Sequence, residues 1–311
     1  MPRAVLACCA FLLLSISKQL ALPPSDVQLE MRNVRLHVDD GIVLEVSRLR
    51  GIMVSRAAGA PPVFDDSRSY ILRLQTATLA MDMASLQNLM NRHVFAYQGS
   101  PLKDLTVETD GVRLKMKGKL HKGVDVPFST TATVATTADG RLRLHAESMK
   151  ALGVPAKGIL DLFGLELDDV MEIKKRRGVD VQDNDIIISA GQVLPPPEIA
   201  GRLSRVSVSA GKLVQVFEDA SNGRPAPLRL PSPRSPNYVY FGGGDIRFGK
   251  LTMHDADLQL IDSDPKDPFD FFPARYNAQL VAGYSKNTPA KGLKTYMPDY
   301  NDLKVRPDQQ R

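Results

Sequence analysis

Four cations, Arg113, Lys115, Lys117 and Lys119, stand at every second position between Val112 and Leu120, with Val112, Leu114, Met116, Gly118 and Leu120 in alternation. Strand side chains switch faces at period two, so this spacing predicts a strand with one apolar side and one wholly cationic side. Spread over roughly 20 Å, at about 3.3 Å per residue, such a row suits a phosphate-bearing partner such as an anionic membrane surface. The same pattern also guards an edge strand against aggregation.

The remaining chemistry-bearing residues point away from catalysis. His37, His93, His121, His145 and His254 show no metal-ligand spacing and no paired Glu motif, and read as strand-surface or loop residues. Gly244 to Lys250 fits the phosphate-loop spacing, but Leu251 replaces the metal-binding Ser or Thr, and Ile246 and Phe248 alternate as a strand. Asp262, Asp264, Asp267 and Asp270 crowd one loop that could clasp Ca²⁺; Pro265 and Pro268 restrict its path, and a solvated turn is the preferred reading. No Gly-x-Ser-x-Gly elbow occurs. Catalytic residues, metal ligands and cofactors are therefore not expected.

The N-terminus sets the compartment. Arg3 precedes an uncharged run over 4–16 centred on Phe11, Leu12, Leu13 and Leu14, with Ser15 and Ser17 after it, which predicts a secretory signal over 1–17. The run is short for a bilayer core of about 30 Å. Val5-Leu6-Ala7-Cys8 also has the form of a lipoprotein box. Cys8 and Cys9 both fall inside the signal, so the mature chain is expected to lack disulfides and thiol chemistry. Periplasm or cell envelope is the expected location. A formal net charge of +5 is compatible with acidic lipid or polyanionic glycan, and without a recognition motif nucleic acid is not an expected partner.

The elements that must position these residues are mostly strands. Alternation predicts strands over 27–38, with a bulge near Asn33, and over 42–46, 70–83, 105–109, 112–120, 128–136, 141–146, 185–190, 206–217, 238–248 and 251–261. Hairpins are signalled at Asp39-Asp40-Gly41, Asp110-Gly111, Asp139-Gly140 and Ala210-Gly211. Helices are expected after Ser85, with Leu86, Leu89, Met90 and Val94 in one stripe, over 155–177, with Ile159, Leu160, Phe163, Leu167, Val170 and Met171 on a broad apolar face, and over 197–203.

From residue 70 to 217 this order carries a likeness. A strand, the short helix at Ser85, the strands 104–109 and 112–120, Val124-Asp125-Val126-Pro127-Phe128, Gly140-Arg141-Leu142-Arg143-Leu144, the glycine-interrupted helix after Gly153, and Leu194-Pro195-Pro196-Pro197 follow one another. The sequence resembles the LmeA-type family of bacterial envelope phospholipid-binding proteins, related to tubular lipid-binding folds. The resemblance implies a curved sheet rolled about a long helix, acyl chains in an apolar groove, and no catalysis.

The expected fold class is thus α+β, mainly β: a curved antiparallel sheet rolled around one long helix, with added N- and C-terminal strands. Its parts are a lipid-binding-like domain over 25–222, a Pro-rich linker over 223–236, C-terminal strands over 237–285 that extend the sheet, and an irregular tail over 286–311. The expected groove is lined by Leu86, Leu89, Met90, Leu114, Met116, Ile159, Leu160, Phe163, Leu167, Val170 and Met171, with Arg113, Lys115, Lys117 and Lys119 toward headgroups. The expected ligand is a phospholipid or other acylated anion. A membrane-biogenesis scaffold with a lipid-conducting groove and a glycan-active enzyme on a β scaffold are the alternatives; the chain has no Trp to serve as a sugar platform.

Overall fold

The computed structural model describes residues 26–122, 124–151, 178–218 and 227–303. The signal expected over 1–17 and the helix expected over 155–177, with Ile159, Leu160, Phe163, Leu167, Val170 and Met171, lie outside the described residues. What is described is mainly β, in two large and mostly antiparallel sheets with short helices.

Strands β1 (Val27–Asp39), β2 (Ile42–Ser55) and β3 (Tyr70–Asp82) form a meander. Helix α1 (Met83–Leu89) follows and runs into one π turn, Met90–Val94. Its cap is Asp82, whose carboxylate accepts the Ser85 amide at 2.7 Å, three residues ahead of the cap assigned from sequence. The six-stranded sheet comes next: β4 (Leu102–Asp110), β5 (Arg113–Lys122), β6 (Val124–Thr136), β7 (Leu142–Ala151), β8 (Val179–Gln182) and β9 (Asp185–Ile188), in the order β4-β5-β6-β7-β9-β8.

The chain then returns through α2 (Ala190–Val193) and Pro195–Pro197 to β10 (Glu198–Ala200), β11 (Leu203–Ser209) and β12 (Lys212–Glu218). Residues 198–200 were expected in a helix; they pair instead with the free edge of the first half of β3, where their amides find partners a short isolated helix would lack. After a strap over 227–236 come β13 (Tyr238–Gly242), the hairpin β14 (Ile246–Phe248) and β15 (Leu251–Met253), β16 (Asp257–Asp262) and β17 (Phe269–Phe271). Helix α3 (Tyr276–Ala282), β18 (Tyr284–Asn287) and β19 (Leu293–Met297) complete the described fold. The large sheet runs β11-β12-β3-β2-β1-β13-β16-β19-β18, with β10 beside β3 and β17 beside β1. The segment from 286, expected to be irregular, therefore carries β19, which pairs in parallel with β16 and buries Met297 completely.

All four signalled hairpins form, and Gly41, Gly111, Gly140 and Gly211 each take the positive φ that the turns require. Asn33 also has positive φ, at 50°, but β1 and β2 stay in register around it. The phase of burial shifts in both strands together, at Arg32-Asn33 and at Ser47-Arg48, so each keeps its apolar side inward. At Asn33 β1 exchanges partners, from β13 on its first half to β17 on its second. The true slip of the β1–β2 register lies between His37 and Asp39.

Apolar faces of both sheets and of α1 share one core, from Val27, Leu44 and Leu79 through Leu86 and Met90 to Leu114, Phe128 and Ile186. Each such side chain contributes roughly 1.5–3 kcal/mol on burial. Gly118 lets β5 sit tightly here: a Cβ at that position would lie 2.8 Å from Leu105 and 2.9 Å from the Lys103 carbonyl.

Candidate functional site

An apolar hollow lies on the inner side of the large sheet. Its floor is Leu29, Met31 and Leu36 of β1, Leu44 and Met53 of β2, and Tyr70 and Leu72 of β3; Pro195–Pro197, Pro273, Ala274 and Tyr276 wall the opposite side. The cavity measures about 340 Å³, within the size range of small-ligand sites. Besides the tyrosines Tyr70 and Tyr276, the polar residues on its lining are His37, Asp65, Ser67 and Asn277.

An aromatic lid closes one side. Phe64 meets Phe241 edge-on at 5.4 Å, Tyr276 at 5.1 Å and Phe248 at 4.9 Å, joining four separate segments. The Tyr276 hydroxyl donates to Asp65 at 2.6 Å, and Asp65 also accepts the Gly249 amide, which ties α3 and the β14–β15 hairpin to the loop over 56–69. Burial and this carboxylate push the Tyr276 hydroxyl well above the ordinary phenol range, so it stays a donor.

Two smaller voids continue the hollow. One of about 40 Å³, lined by Leu86, Leu89 and Met90, shares Leu44 and Ile199 with the large cavity. Another of about 20 Å³, lined by Met116 and Phe128, shares Met90 with the second. Ile199 can stand at the first neck because residue 191 is glycine; a Cβ there would lie 1.6 Å from the Ile199 carbonyl oxygen.

The expected groove residues within the described chain are thus brought together, but in the narrow part. Leu86, Leu89, Met90 and Met116 are buried around voids scarcely larger than a water molecule, and Leu114 is wholly buried. Sequence reasoning missed the main cavity, which is assembled from Leu36, Tyr70, Pro195–Pro197 and Tyr276, segments far apart in the chain.

The cationic side of β5 faces outward, opposite Leu114 and Met116, but it is not wholly cationic in space. Arg113 lies 3.3 Å from Glu147, Lys117 3.7 Å from Glu108 and Lys119 2.7 Å from Asp104. Carboxylates of the neighbouring β4 and of β7, one strand further on, interleave with the cations. Each histidine likewise has an aspartate partner: His93 with Asp39 at 3.0 Å, His121 with Asp125 at 2.5 Å, His145 with Asp185 at 2.6 Å, His254 with Asp245 at 3.0 Å, and His37 with Asp270.

The aspartate-rich loop is the expected solvated turn at its centre, where Asp264 and Asp267 are exposed, but not at its two ends. Asp262 and Asp270 are both 4% exposed. Asp262 accepts from Asn237 and from the Asp264 amide, each at 2.8 Å, while Asp270 lies in ion-pair contact with His37 and accepts from Asn301, and its own amide donates to Asp299 at 2.7 Å. Burial drives Asp262 above the usual carboxylate range and pushes Asp299 up to about 7. No group of three or more metal-ligating side chains converges among the described residues, and the Gly244 to Lys250 stretch is the β14–β15 hairpin. No helix among the described residues is long and apolar enough to cross a membrane. Neither a protein-family model, nor a curated protein, nor a solved structure matches this chain.

Proposed function

We propose that the chain binds the acyl part of a phospholipid or other acylated anion in the interior of the large sheet and carries or presents it in the cell envelope, without chemistry on the ligand. The observation that carries this reading is the cavity of about 340 Å³ with a mainly apolar floor. Secretion by a signal over 1–17, kinship with the LmeA-type family and a long helix over 155–177 that covers the groove belong to the same reading. Membrane contact through the β5 cations belongs to it as well.

The line of voids favours one variant, a conduit rather than a closed pouch. Leu44 with Ile199, and then Met90, separate successive hollows, so small side-chain movements at two necks would join them. Native mass spectrometry of protein purified from membranes tests the reading. A lipid adduct in the wild type that disappears in Leu36→Trp, with the melting temperature kept, supports it. An adduct that persists at equal intensity in the filled variant, or no adduct in either protein, overturns it.

A further inference from the structure

The outer face of the large sheet carries a second hollow, of about 550 Å³, on the side away from the apolar cavity. Its floor follows the strand registers. Arg32 stands directly opposite Arg48, Arg48 opposite Thr78, and Arg32 opposite Tyr238; in the next row Glu30 faces Arg50, and Arg50 faces Thr76. Pro227, Leu228 and Leu230 of the strap form the wall. The strap is held by a reciprocal pair of hydrogen bonds: the Ser232 amide donates to Gln259 at 2.7 Å and Gln259 donates to the Ser232 carbonyl at 3.1 Å. Gln259 is fully buried beneath it.

Two guanidinium groups directly opposite each other are destabilising unless an anion lies between them. Two carboxylates line the hollow: Glu30 is already engaged, accepting from Arg50 at 2.8 Å and from the Tyr238 hydroxyl at 2.6 Å, and Glu218 stands at its rim opposite Thr76. Among the described residues neither Arg32 nor Arg48 has a carboxylate within 4.0 Å. That contrasts with β5, where three of the four cations are matched by carboxylates.

We propose that Arg32 and Arg48, with the Thr76 and Thr78 hydroxyls and under the strap, bind a phosphate group. The guanidinium fork matches phosphate oxygens two at a time, and hydroxyls beside two forks suit an anion with three or four acceptor oxygens better than a planar carboxylate. The strap shields one side from water, which strengthens charge-assisted bonds. This site does not depend on what fills the apolar cavity.

The test is calorimetry of the full chain with inorganic phosphate, and flotation with vesicles of phosphatidic acid in phosphatidylcholine against phosphatidylcholine alone, for wild type, R32Q/R48Q and Thr78→Val. The wild type should bind one or both phosphate sources. The double variant should weaken binding by at least tenfold and melt no lower than the wild type, since removing two like charges relieves repulsion. Thr78→Val, which leaves both guanidinium groups in place, should weaken it severalfold. Binding of inorganic phosphate without vesicle binding identifies a small-molecule site, and vesicle binding without free phosphate identifies a lipid headgroup; either supports the proposal. No binding by the wild type, or equal binding by all three proteins, overturns it.

Discussion

The two sheets handle their apolar interiors differently. Beneath the six-stranded sheet, Leu102, Leu105, Met116, Phe128 and Ile186 close on a void of about 20 Å³, whereas the inner side of the large sheet holds about 340 Å³. Flexible and branched aliphatic side chains on paired strands interdigitate until little space is left. Where the opposing wall is proline and aromatic ring instead, as at Pro195–Pro197 and around Phe64, the rigid groups cannot collapse into the gap, and a hollow remains.

The sharpest way to break this contrast is to cut a large side chain from each side. Phe128→Ala, in the packed sheet, should cost about 3–5 kcal/mol, because the surroundings relax only partly around the new void. Leu36→Ala, on the wall of an existing hollow, should cost less than about 1.5 kcal/mol. Urea denaturation of both variants measures the difference; equal losses would mean that the two interiors are packed alike.

Asp299 supplies an effect of intermediate size. Its carboxyl, pushed up to about 7 by burial against an ordinary value of 3.8, keeps a proton in the fold that the unfolded chain releases between about pH 4 and 7. Stability from this group is therefore fully present below about pH 4, falls as pH rises through 7, and levels off above that. Solvent screening of a half-buried group limits the change to about 1–2 kcal/mol. Asp299→Asn keeps an oxygen for the Asp270 amide, removes the slope, and should be more stable than wild type at pH 8 by that amount. Thermal melts across pH 4 to 8 check it.

The smallest effect is expected on the outer face of β5. Replacing Arg113, Lys115, Lys117 and Lys119 with Gln should change fold stability by less than about 1 kcal/mol, as exposed ion pairs are weak. With carboxylates beside three of the four, affinity for anionic vesicles should fall by less than about tenfold. A loss of several hundredfold in flotation would show that all four cations leave their partners to engage the membrane.

Much of the fold was legible because it is local. The hairpin at Asp39-Asp40-Gly41, the alternation of Leu114, Met116 and Leu120 and the stripe of Leu86, Leu89 and Met90 follow from spacing alone. The arginine pair was not. Counting back from the turn pairing Asp39 with Ile42 would set Arg32 against Leu49; only the slip between His37 and Asp39 brings it opposite Arg48. A one-residue irregularity thus decides whether two charges meet. Asp262 and Asp270 were unreadable for a similar reason, since their partners Asn237, His37 and Asn301 come from other segments. The main cavity lies between elements separated by more than a hundred residues, and no local pattern announces a gap.

The exchange of partners along β1 bears on how the chain is made. Gln28 to Arg32 wait for Tyr238 to Gly242, and Val34 to Leu36 wait for Phe269 to Phe271, so one edge of the first strand stays open while about 200 further residues are synthesised. An open edge with apolar Val27, Leu29 and Met31 is a template for wrong pairing. Closure of the sheet is a late and non-local event, which slows folding and leaves that edge exposed during the interval. A chain stopped after residue 222 would keep this edge permanently and should self-associate through it.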